Sequence, residues 1–211
     1  MSNADLARTE FIVRTIAEES VVQEKYFGDL DAVVGDGDFG YSLARGFEFV
    51  LADFDDIDRT DAGTFLSKVA VMITSHIGGT SGPLWGTAFL RAGSSLKGND
   101  DISSADAVAA LRAAIEGIKK RGRSDVGDKT LLDALVPAVD TLEASLDAGE
   151  PAAVAVQKMA ETARIAAEAT SVLEARRGRA SYTGERSIGS VDAGAVGVAV
   201  LIEKVAETWP S

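Results

Sequence analysis

Residues 131–146 read LLDALVPAVDTLEASL, a stretch in which large apolar residues return at every third or fourth position. The recurring positions are Leu131, Leu135, Val139, Leu142 and Leu146. Residues three and four apart lie on one face of an α-helix, so this spacing predicts an amphipathic helix that buries one side. Pro137 removes one backbone donor from the middle of this helix, and we expect a kink there.

The same helical spacing extends over most of the chain. Further segments with this spacing cover roughly 4–26, 41–52, 61–77, 82–96, a stretch from 105, 151–175 and 194–208. The last of them is apolar nearly all round, which is typical of a helix buried on several sides. Outside the short run 32–34 nothing resembles a strand. The sequence therefore predicts an all-α bundle of eight helices.

Helix-boundary signals agree with this division. Ser103 or Ser104 can cap the helix that starts near residue 105, and Asp192 can cap the last one. Pro151 suits the first turn of the helix that it opens.

Composition limits the classes of function. The chain has 33 acidic and 21 basic residues, a formal net charge of −12, and no cysteine. We expect no nucleic-acid partner, because binding to a phosphate backbone requires a basic surface. Disulfides, thiolate metal sites and a cysteine nucleophile are excluded. The amino end lacks the order of a signal peptide, and the most apolar run, 193–202, is about half of the roughly 20 residues that a membrane span requires. We expect a single domain over 1–211, cytoplasmic and without a membrane partner.

Glycine is concentrated in four joints between the predicted helices. They read GDGDFG (35–40), GGTSGPLWG (78–86), RGRSDVGDKT (121–130) and GRASYTGERSIGSVDAGAVG (178–197). Glycine allows a backbone to approach phosphate closely, so polar, glycine-rich joints indicate loops shaped for a ligand.

The first joint has a plain interpretation and two sharper ones that fail. By itself, GDGD is usually a turn with solvated carboxylates. Gly35, Gly37 and Gly40 satisfy a dinucleotide fingerprint, but two acids between them would repel a pyrophosphate, and no Rossmann pattern follows. A calcium loop counted from Asp36 would place Tyr41 where glycine is required, and no glutamate at its twelfth position.

A magnesium site is the remaining interpretation. Asp31, Asp36 and Asp38 supply three hard oxygen ligands within eight residues. Magnesium typically binds to a few carboxylates together with phosphate oxygens and water, so this spacing suits one or two ions bridged to a nucleotide.

Two other joints carry phosphate signals. GRSDVGDKT is similar to a Walker A motif with an extra Asp128 before Lys129, which shifts the lysine and threonine by one residue. Because no strand precedes it either, we do not expect a P-loop ATPase, and the plain interpretation is a loop closed by a helix cap. Thr80 and Ser81 stand among glycines at a predicted helix start, where free amides and the helix dipole favour phosphate. A simple turn between helices is the alternative for that joint.

Together the four joints resemble the nucleotide-binding L subunit (DhaL, or DAK2 domain) of dihydroxyacetone kinase. The matching blocks, in family order, are DLDAVVGDGDFGYSLARGF, GGTSGPLWG, GDKTLLDALVPA and GRASYTGERSIGSVDAGA. The resemblance implies a barrel-like bundle of eight antiparallel helices, with ADP or ATP and two Mg²⁺ ions at one end.

The resemblance also assigns site residues. It implies that Asp31, Asp36 and Asp38 are the metal ligands and that they act in catalysis with Arg179. The nucleotide-binding residues that it implies are Phe39, Gly40, Tyr41, Ser42, Thr80, Ser81, Gly122, Leu131, Arg179, Asp192, Ala193 and Gly194. The family motif usually reads GDGDHG, and Phe39 stands where the histidine would donate a hydrogen bond. We interpret Phe39 as the mark of a subgroup, because the metal triad is intact.

The function implied is phosphoryl transfer to a small ketose, dihydroxyacetone or a tetrulose, held by a separate K subunit. The nucleotide is either exchangeable ATP, or bound ADP recharged by a phosphotransferase-system phosphocarrier, and a homodimer is compatible with the family. A fatty-acid-kinase-like module and a regulatory ADP-binding protein that transfers no phosphate are the alternatives. His76, the one histidine, is interpreted as satisfying a helix end.

Overall fold

A computed structural model describes residues 3–99 and 101–210. In these residues the chain forms α-helices joined by loops and short 3-10 turns, with no strand. The helices are α1 (Asn3–Val22), α2 (Glu24–Asp31), α3 (Phe39–Ala52), α4 (Ala62–His76), α5 (Ser81–Leu96), α6 (Ser104–Gly122), α7 (Leu131–Asp147), α8 (Ala152–Ala169) and α9 (Ala193–Glu207). The all-α prediction is confirmed.

The number of helices differs from the prediction by one. The first predicted segment divides at Gln23, where ψ is 10°, and the second part runs on as α2 to Asp31. The run 32–34, the one candidate for a strand, forms hydrogen-bonded turns after α2. Nine helices, rather than eight, therefore lie within the described ranges.

Eight of these helices form a closed ring. Each of α3 to α8 packs against the next helix along the chain, and α1 packs against both α3 and α9, which closes the ring. The remaining helix, α2, packs against α3 and α9. This ring corresponds to the barrel-like bundle that the sequence resemblance implies.

Neighbouring helices of the ring run antiparallel. Gly63 at the start of α4 lies against Gly93 near the end of α5. Gly122, the last residue of α6, lies against Leu84 in the first turn of α5. Because direction reverses at every step, alternate connections lie at the same end of the ring. Four of them share the end that we call the loop end: 32–38, 77–80, 123–130 and 170–192.

The interior of the ring is apolar and rich in small side chains. Phe27, Phe47 and Phe65 are among the largest side chains with no exposed surface. Alanines on α7, α8 and α9 are equally buried, and their small size allows these helices to approach closely. They are Ala134, Ala138, Ala163, Ala167, Ala195 and Ala199.

The predicted caps are mostly confirmed. The Ser103 hydroxyl accepts the Asp106 amide and completes a capping box, while Asp192 accepts the Ala195 amide at 2.7 Å. Pro151 occupies the cap position itself, one residue before the first turn of α8. α7 continues through Pro137, and the kink there stays a prediction. Among the described helices, none combines the length and the apolar character needed to cross a bilayer.

Gly63→Ala tests the close packing of α4 on α5. A Cβ at Gly63 would lie 2.5 Å from the Gly93 carbonyl oxygen and 2.5 Å from the Lys97 amide nitrogen. Backbone atoms cannot rotate away, so we expect the free energy of unfolding to fall by about 1–3 kcal/mol, measured by chemical denaturation. The matched control is Gly78→Ala, where the Cβ would meet open space; its change should stay within about 0.5 kcal/mol. Equal stability of both variants would contradict this packing.

Candidate functional site

Three carboxylates meet at the loop end of the ring. Asp31 ends α2, Asp36 lies in the loop that follows, and Asp38 directly precedes α3. One carboxylate oxygen from each lies within 4.8 Å of the others. Like charges this close repel one another, so the arrangement favours a bound cation.

A tight turn brings these carboxylates together. The Asp31 carbonyl accepts the amide of Val34 at 3.3 Å and that of Gly35 at 2.6 Å, which folds the chain back after α2. A Cβ at Gly35 would lie only 2.3 Å from Asp31 Oδ1. Position 35 therefore requires glycine, because the Cβ would also lie 2.8 Å from the Asp31 carbonyl oxygen, a backbone atom that cannot rotate away.

The Asp38 side chain is available to a ligand. Asp38 takes the cap position of α3, where an aspartate usually accepts a hydrogen bond from the helix backbone. Within the described residues its carboxylate makes no such bond. Asp38 Oδ2 instead lies 3.8 Å from Arg179 Nη2.

Arg179 contacts two of the three acids. Its guanidinium pairs with Asp36 through Nη1 as well as with Asp38. Arg179 begins the 3-10 segment Arg179–Ser187 in the long connection between α8 and α9, and 61% of its side chain is exposed. The structure thus brings together the four residues that the sequence resemblance assigned to catalysis.

The donor set suits a hard divalent ion. Three carboxylates offer only oxygen ligands, which Mg²⁺ and Ca²⁺ prefer. Asp31, Asp36 and Asp38 would hold such an ion, and Arg179 supplies positive charge to the same oxygens. The assignment of these acids to Mg²⁺ stays a prediction, with a donor set that fits it.

The starts of α7 and α9 adjoin one another. A Cβ at Gly194 would lie 3.3 Å from the Leu131 Cβ and 3.1 Å from Asp192 Oδ2. Burial, helped by the negative charges of Asp133 and Asp31, raises the pKa of Asp192 to about 7, although the Ala195 amide and Lys129 oppose the shift. Four of the predicted nucleotide-binding residues therefore share one place: Leu131, Asp192, Ala193 and Gly194.

Thr80 and Ser81 lie at the start of α5. Thr80 takes the cap position, and in the described part of the chain its hydroxyl makes no capping bond, so the first amides of α5 are not satisfied by that side chain. Gly122 lies near the same helix start, because it packs against Leu84 in the first turn of α5. This group shares the loop end with the carboxylates but, among the described residues, makes no hydrogen bond to them.

Residues 39–42 differ from one another in burial and in their contacts. Phe39 is 8% exposed, and its ring lies 5.7 Å from the ring of Phe27 and against Gly197 of α9. The Phe39 ring is therefore a core side chain, and the nucleotide-binding role that the resemblance implies for residues 39–42 stays a prediction that this ring does not support. The backbone of Gly40 packs against α2, Tyr41 is exposed and Ser42 is half-buried.

Lys129 is a residue at the loop end for which the sequence analysis predicted no role. It is 2% exposed, and Nζ donates to the carbonyls of Leu173, Ser187 and Ser190. Burial lowers the pKa of Lys129, and Asp192 opposes that shift. The GDKT sequence placed a lysine at the loop end, but nothing in the spacing indicated that its side chain points inward.

His76, the last residue of α4, contacts the preceding turn of its own helix, and the predicted role of satisfying a helix end stays a prediction. Its Nδ1 lies 2.9 Å from the Met72 carbonyl oxygen, and its ring stacks on Phe49 with 3.7 Å between centroids.

Fold and site together define an all-α ring with a three-carboxylate site at the end where its loops gather. The DAK2 domain model matches residues 33–207. The chain belongs to the DAK2-domain family, and the resemblance stated from the sequence is confirmed.

Relatives show how much of each protein the similarity covers. The chain is 35% identical to the ADP-binding subunit DhaL of the PEP-dependent dihydroxyacetone kinase of Escherichia coli K12, over 87% of this chain and 88% of that subunit. It is 34% identical to the corresponding subunit of the PTS-dependent kinase of Lactococcus lactis, over 90% and 91%. It is also 37% identical to L-erythrulose 1-kinase of Mycolicibacterium smegmatis, over 93% of this chain but 34% of that enzyme.

A solved structure has the same fold. The dihydroxyacetone kinase of C. freundii in complex with AMP-PNP and Mg²⁺ matches with a TM-score of 0.77 and 26% identity. The match covers 99% of this chain and 34% of that one.

Phe39→His tests the core role of the aromatic ring. A polar ring against Phe27 and Gly197 loses apolar contact and lacks an evident partner, so we expect the free energy of unfolding to fall by about 1–3 kcal/mol. Nucleotide affinity, measured by calorimetry, should stay unchanged. Phe39→Leu is the apolar control and should cost less. A histidine variant that binds nucleotide more tightly would show that position 39 faces the ligand.

Asp192→Asn tests the raised pKa. Between the ordinary value of 3.8 and about 7, folded Asp192 keeps a proton that the unfolded chain has lost. This group therefore makes the free energy of unfolding fall as pH rises through that window. Asparagine also caps helices but carries no charge. Relative to the wild type, the free energy of unfolding of the variant should therefore rise by on the order of 4 kcal/mol across the window, since one pKa unit equals about 1.4 kcal/mol.

The measurement is denaturant unfolding at several pH values in buffer without divalent ions. Parallel pH profiles for the two proteins would contradict the raised pKa.

Proposed function

We propose that this chain is the nucleotide-binding, phosphoryl-transferring subunit of a kinase that acts on a small ketose, dihydroxyacetone or a tetrulose. The observation that carries the proposal is the cluster of Asp31, Asp36 and Asp38 within 4.8 Å, with Arg179 on it. Support comes from relatives that are named ADP-binding subunits of dihydroxyacetone kinases and match over nearly their whole length.

The residues at the loop end supply positioning and charge, which is most of what phosphoryl transfer asks of a protein. Bound Mg²⁺ would offset the negative charge of the nucleotide phosphates. Arg179 is exposed enough to turn from the carboxylates toward a phosphate oxygen. The amino ends of α3, α5, α7 and α9 all lie at the loop end, and their partial positive charge favours an anion.

The nucleotide lies, in this proposal, between the carboxylates and the starts of α5, α7 and α9. Leu131 offers an apolar surface beside Gly194, and Gly122 leaves room beside Leu84. Thr80 and Ser81 present hydroxyl groups and amides to the phosphates.

A separate subunit brings the ketose to this end. Large apolar side chains are exposed on the loops around the site, and such exposure commonly marks a protein interface. They are Val33, Val126, Val172, Tyr182 and Ile188. Docking of a substrate-bearing K subunit would cover these side chains and place the ketose hydroxyl against the nucleotide.

The proposal includes the source of phosphate. The relatives covered over most of their own length are ADP-binding subunits of PEP- or PTS-dependent kinases. By analogy, ADP stays bound to this chain and a phosphocarrier protein recharges it. The alternative source of phosphate is free ATP that exchanges with the bound nucleotide, and the test includes an arm for it.

The test combines the purified chain, a K subunit and dihydroxyacetone. One arm adds ATP, and the other adds a phosphocarrier with its phosphoenolpyruvate-driven partners. Ketose phosphate formed in either arm supports the kinase, and the productive arm identifies the donor. Tight ADP binding without transfer to any ketose in either arm would support the regulatory protein instead.

Asp36→Asn tests the role of the carboxylates. We expect Mg²⁺-dependent nucleotide affinity to fall by more than about 100-fold, since even outer-shell partners of metal ligands typically contribute 10–100-fold. Ketose phosphorylation should be lost with it. Asp147→Asn, which makes the same change in charge at the end of α7 far from the loop end, is the control and should bind like the wild type. Full turnover by Asp36→Asn would refute the assignment.

A further inference from the structure

Lys129 is a buried cation whose hydrogen-bonding capacity is fully used. A lysine ammonium has three N–H donors, and the three carbonyls of Leu173, Ser187 and Ser190 match them, the first at 3.0 Å and the last at 2.7 Å. Lysine is almost never fully buried unless it is paired. With its three donors satisfied inside the protein, Lys129 is not placed to bind a phosphate.

The backbone at Lys129 is held in a conformation that side chains rarely adopt. Its φ is +60°, in the left-handed region, although it is not a glycine. Such a residue costs on the order of 1 kcal/mol or more and persists where the surroundings enforce it. Here the conformation turns the lysine side chain inward while Thr130, the next residue, caps α7.

All three acceptor carbonyls belong to residues 173–190, which we call the Arg179 segment because it carries that side chain. Asp128 adds three more contacts to it: its carbonyl accepts the Arg176 amide at 3.0 Å, Oδ1 lies 4.0 Å from Arg176 Nη1, and Oδ2 lies 3.2 Å from Arg177 Nη2. The Arg179 segment contains little regular structure besides a 3-10 stretch, and Tyr182 within it is 87% exposed. Few apolar contacts therefore hold it in place.

We propose that Lys129 is a positioning residue that anchors the Arg179 segment and so holds Arg179 on the carboxylate cluster. This inference deepens the proposed function and rests on it, because the proposed function is what gives Arg179 a role in phosphate binding. Lys129 holds the backbone of the segment through the three carbonyls, and the Arg179 side chain of the same segment contacts Asp36 and Asp38. Without the ammonium, three carbonyls lose a charged donor and the segment opens locally.

Limited trypsin digestion of Lys129→Met tests the anchor without any nucleotide. The Arg179 segment contains four tryptic sites, at Arg176, Arg177, Arg179 and Arg186. Cleavage requires local opening, so we expect the rate of cutting there to rise by about tenfold or more. The matched control is Lys119→Met, which removes a lysine paired with Asp125 in the neighbouring joint and should leave that rate unchanged.

A double-mutant cycle tests whether Lys129 acts through Arg179. Affinity for ADP in the presence of Mg²⁺ is measured by calorimetry for Lys129→Met, Arg179→Gln and the double variant. We expect each single variant to bind more weakly and the double variant to bind no more weakly than Arg179→Gln alone. A purely structural role for Lys129 would instead give losses that multiply.

Lys129→Gln, which keeps one donor group, is the second variant and should give intermediate trypsin sensitivity. Unchanged cutting in a folded Met or Gln variant would overturn the proposal, as would multiplying losses of affinity. Failure of both variants to fold would also overturn it, because the lysine would then support the whole ring rather than one segment. If the wild type binds no nucleotide, the proposed function fails, while the trypsin result still decides whether Lys129 holds the segment.

Discussion

Reversal of direction at every step of the helical ring is the constraint on which the site depends. Antiparallel neighbours place alternate connections at the same end, and the four glycine-rich joints are the alternate ones. Residues far apart in the chain therefore meet without any long excursion of the backbone. Asp36 and Arg179, which are 143 positions apart, form an ion pair for this reason. The other end carries the remaining connections and packing contacts such as that of Gly63 against Gly93.

Electrostatics then gives the loop end its chemical character. Three carboxylates within 4.8 Å repel one another, and Arg179 offsets part of that repulsion. The same oxygens attract a divalent ion, and a polyphosphate can approach them only when such an ion is present. Lys129 adds a second, buried positive charge that contacts backbone carbonyls rather than the acids. One basic side chain thus contacts the carboxylate cluster, and the other, in our proposal, anchors the segment that carries it.

Helices and several caps could be predicted from sequence because their signals are local, as the spacing in 131–146 and the caps Ser103 and Asp192 illustrate. The break at Gln23 could not, since glutamine is compatible with a helix and helical hydrogen bonds lead both into and out of that residue. The aspartate cluster could be predicted from the sequence because its members lie within eight residues, whereas Arg179 was assigned to the site by the family resemblance alone. The direction of the Phe39 ring and the burial of Lys129 depend on residues of α9 and the Arg179 segment, so no local pattern reveals them.

Calorimetric titration of the unmodified chain with ADP and with ATP, in magnesium buffer and again after chelation of divalent ions, tests the central claim most directly. Saturable binding of at least one nucleotide in magnesium, lost on chelation, is the result that the three-carboxylate site predicts. Absence of binding in magnesium, or equal binding with and without it, would contradict the assignment of the loop end to a metal-bound nucleotide.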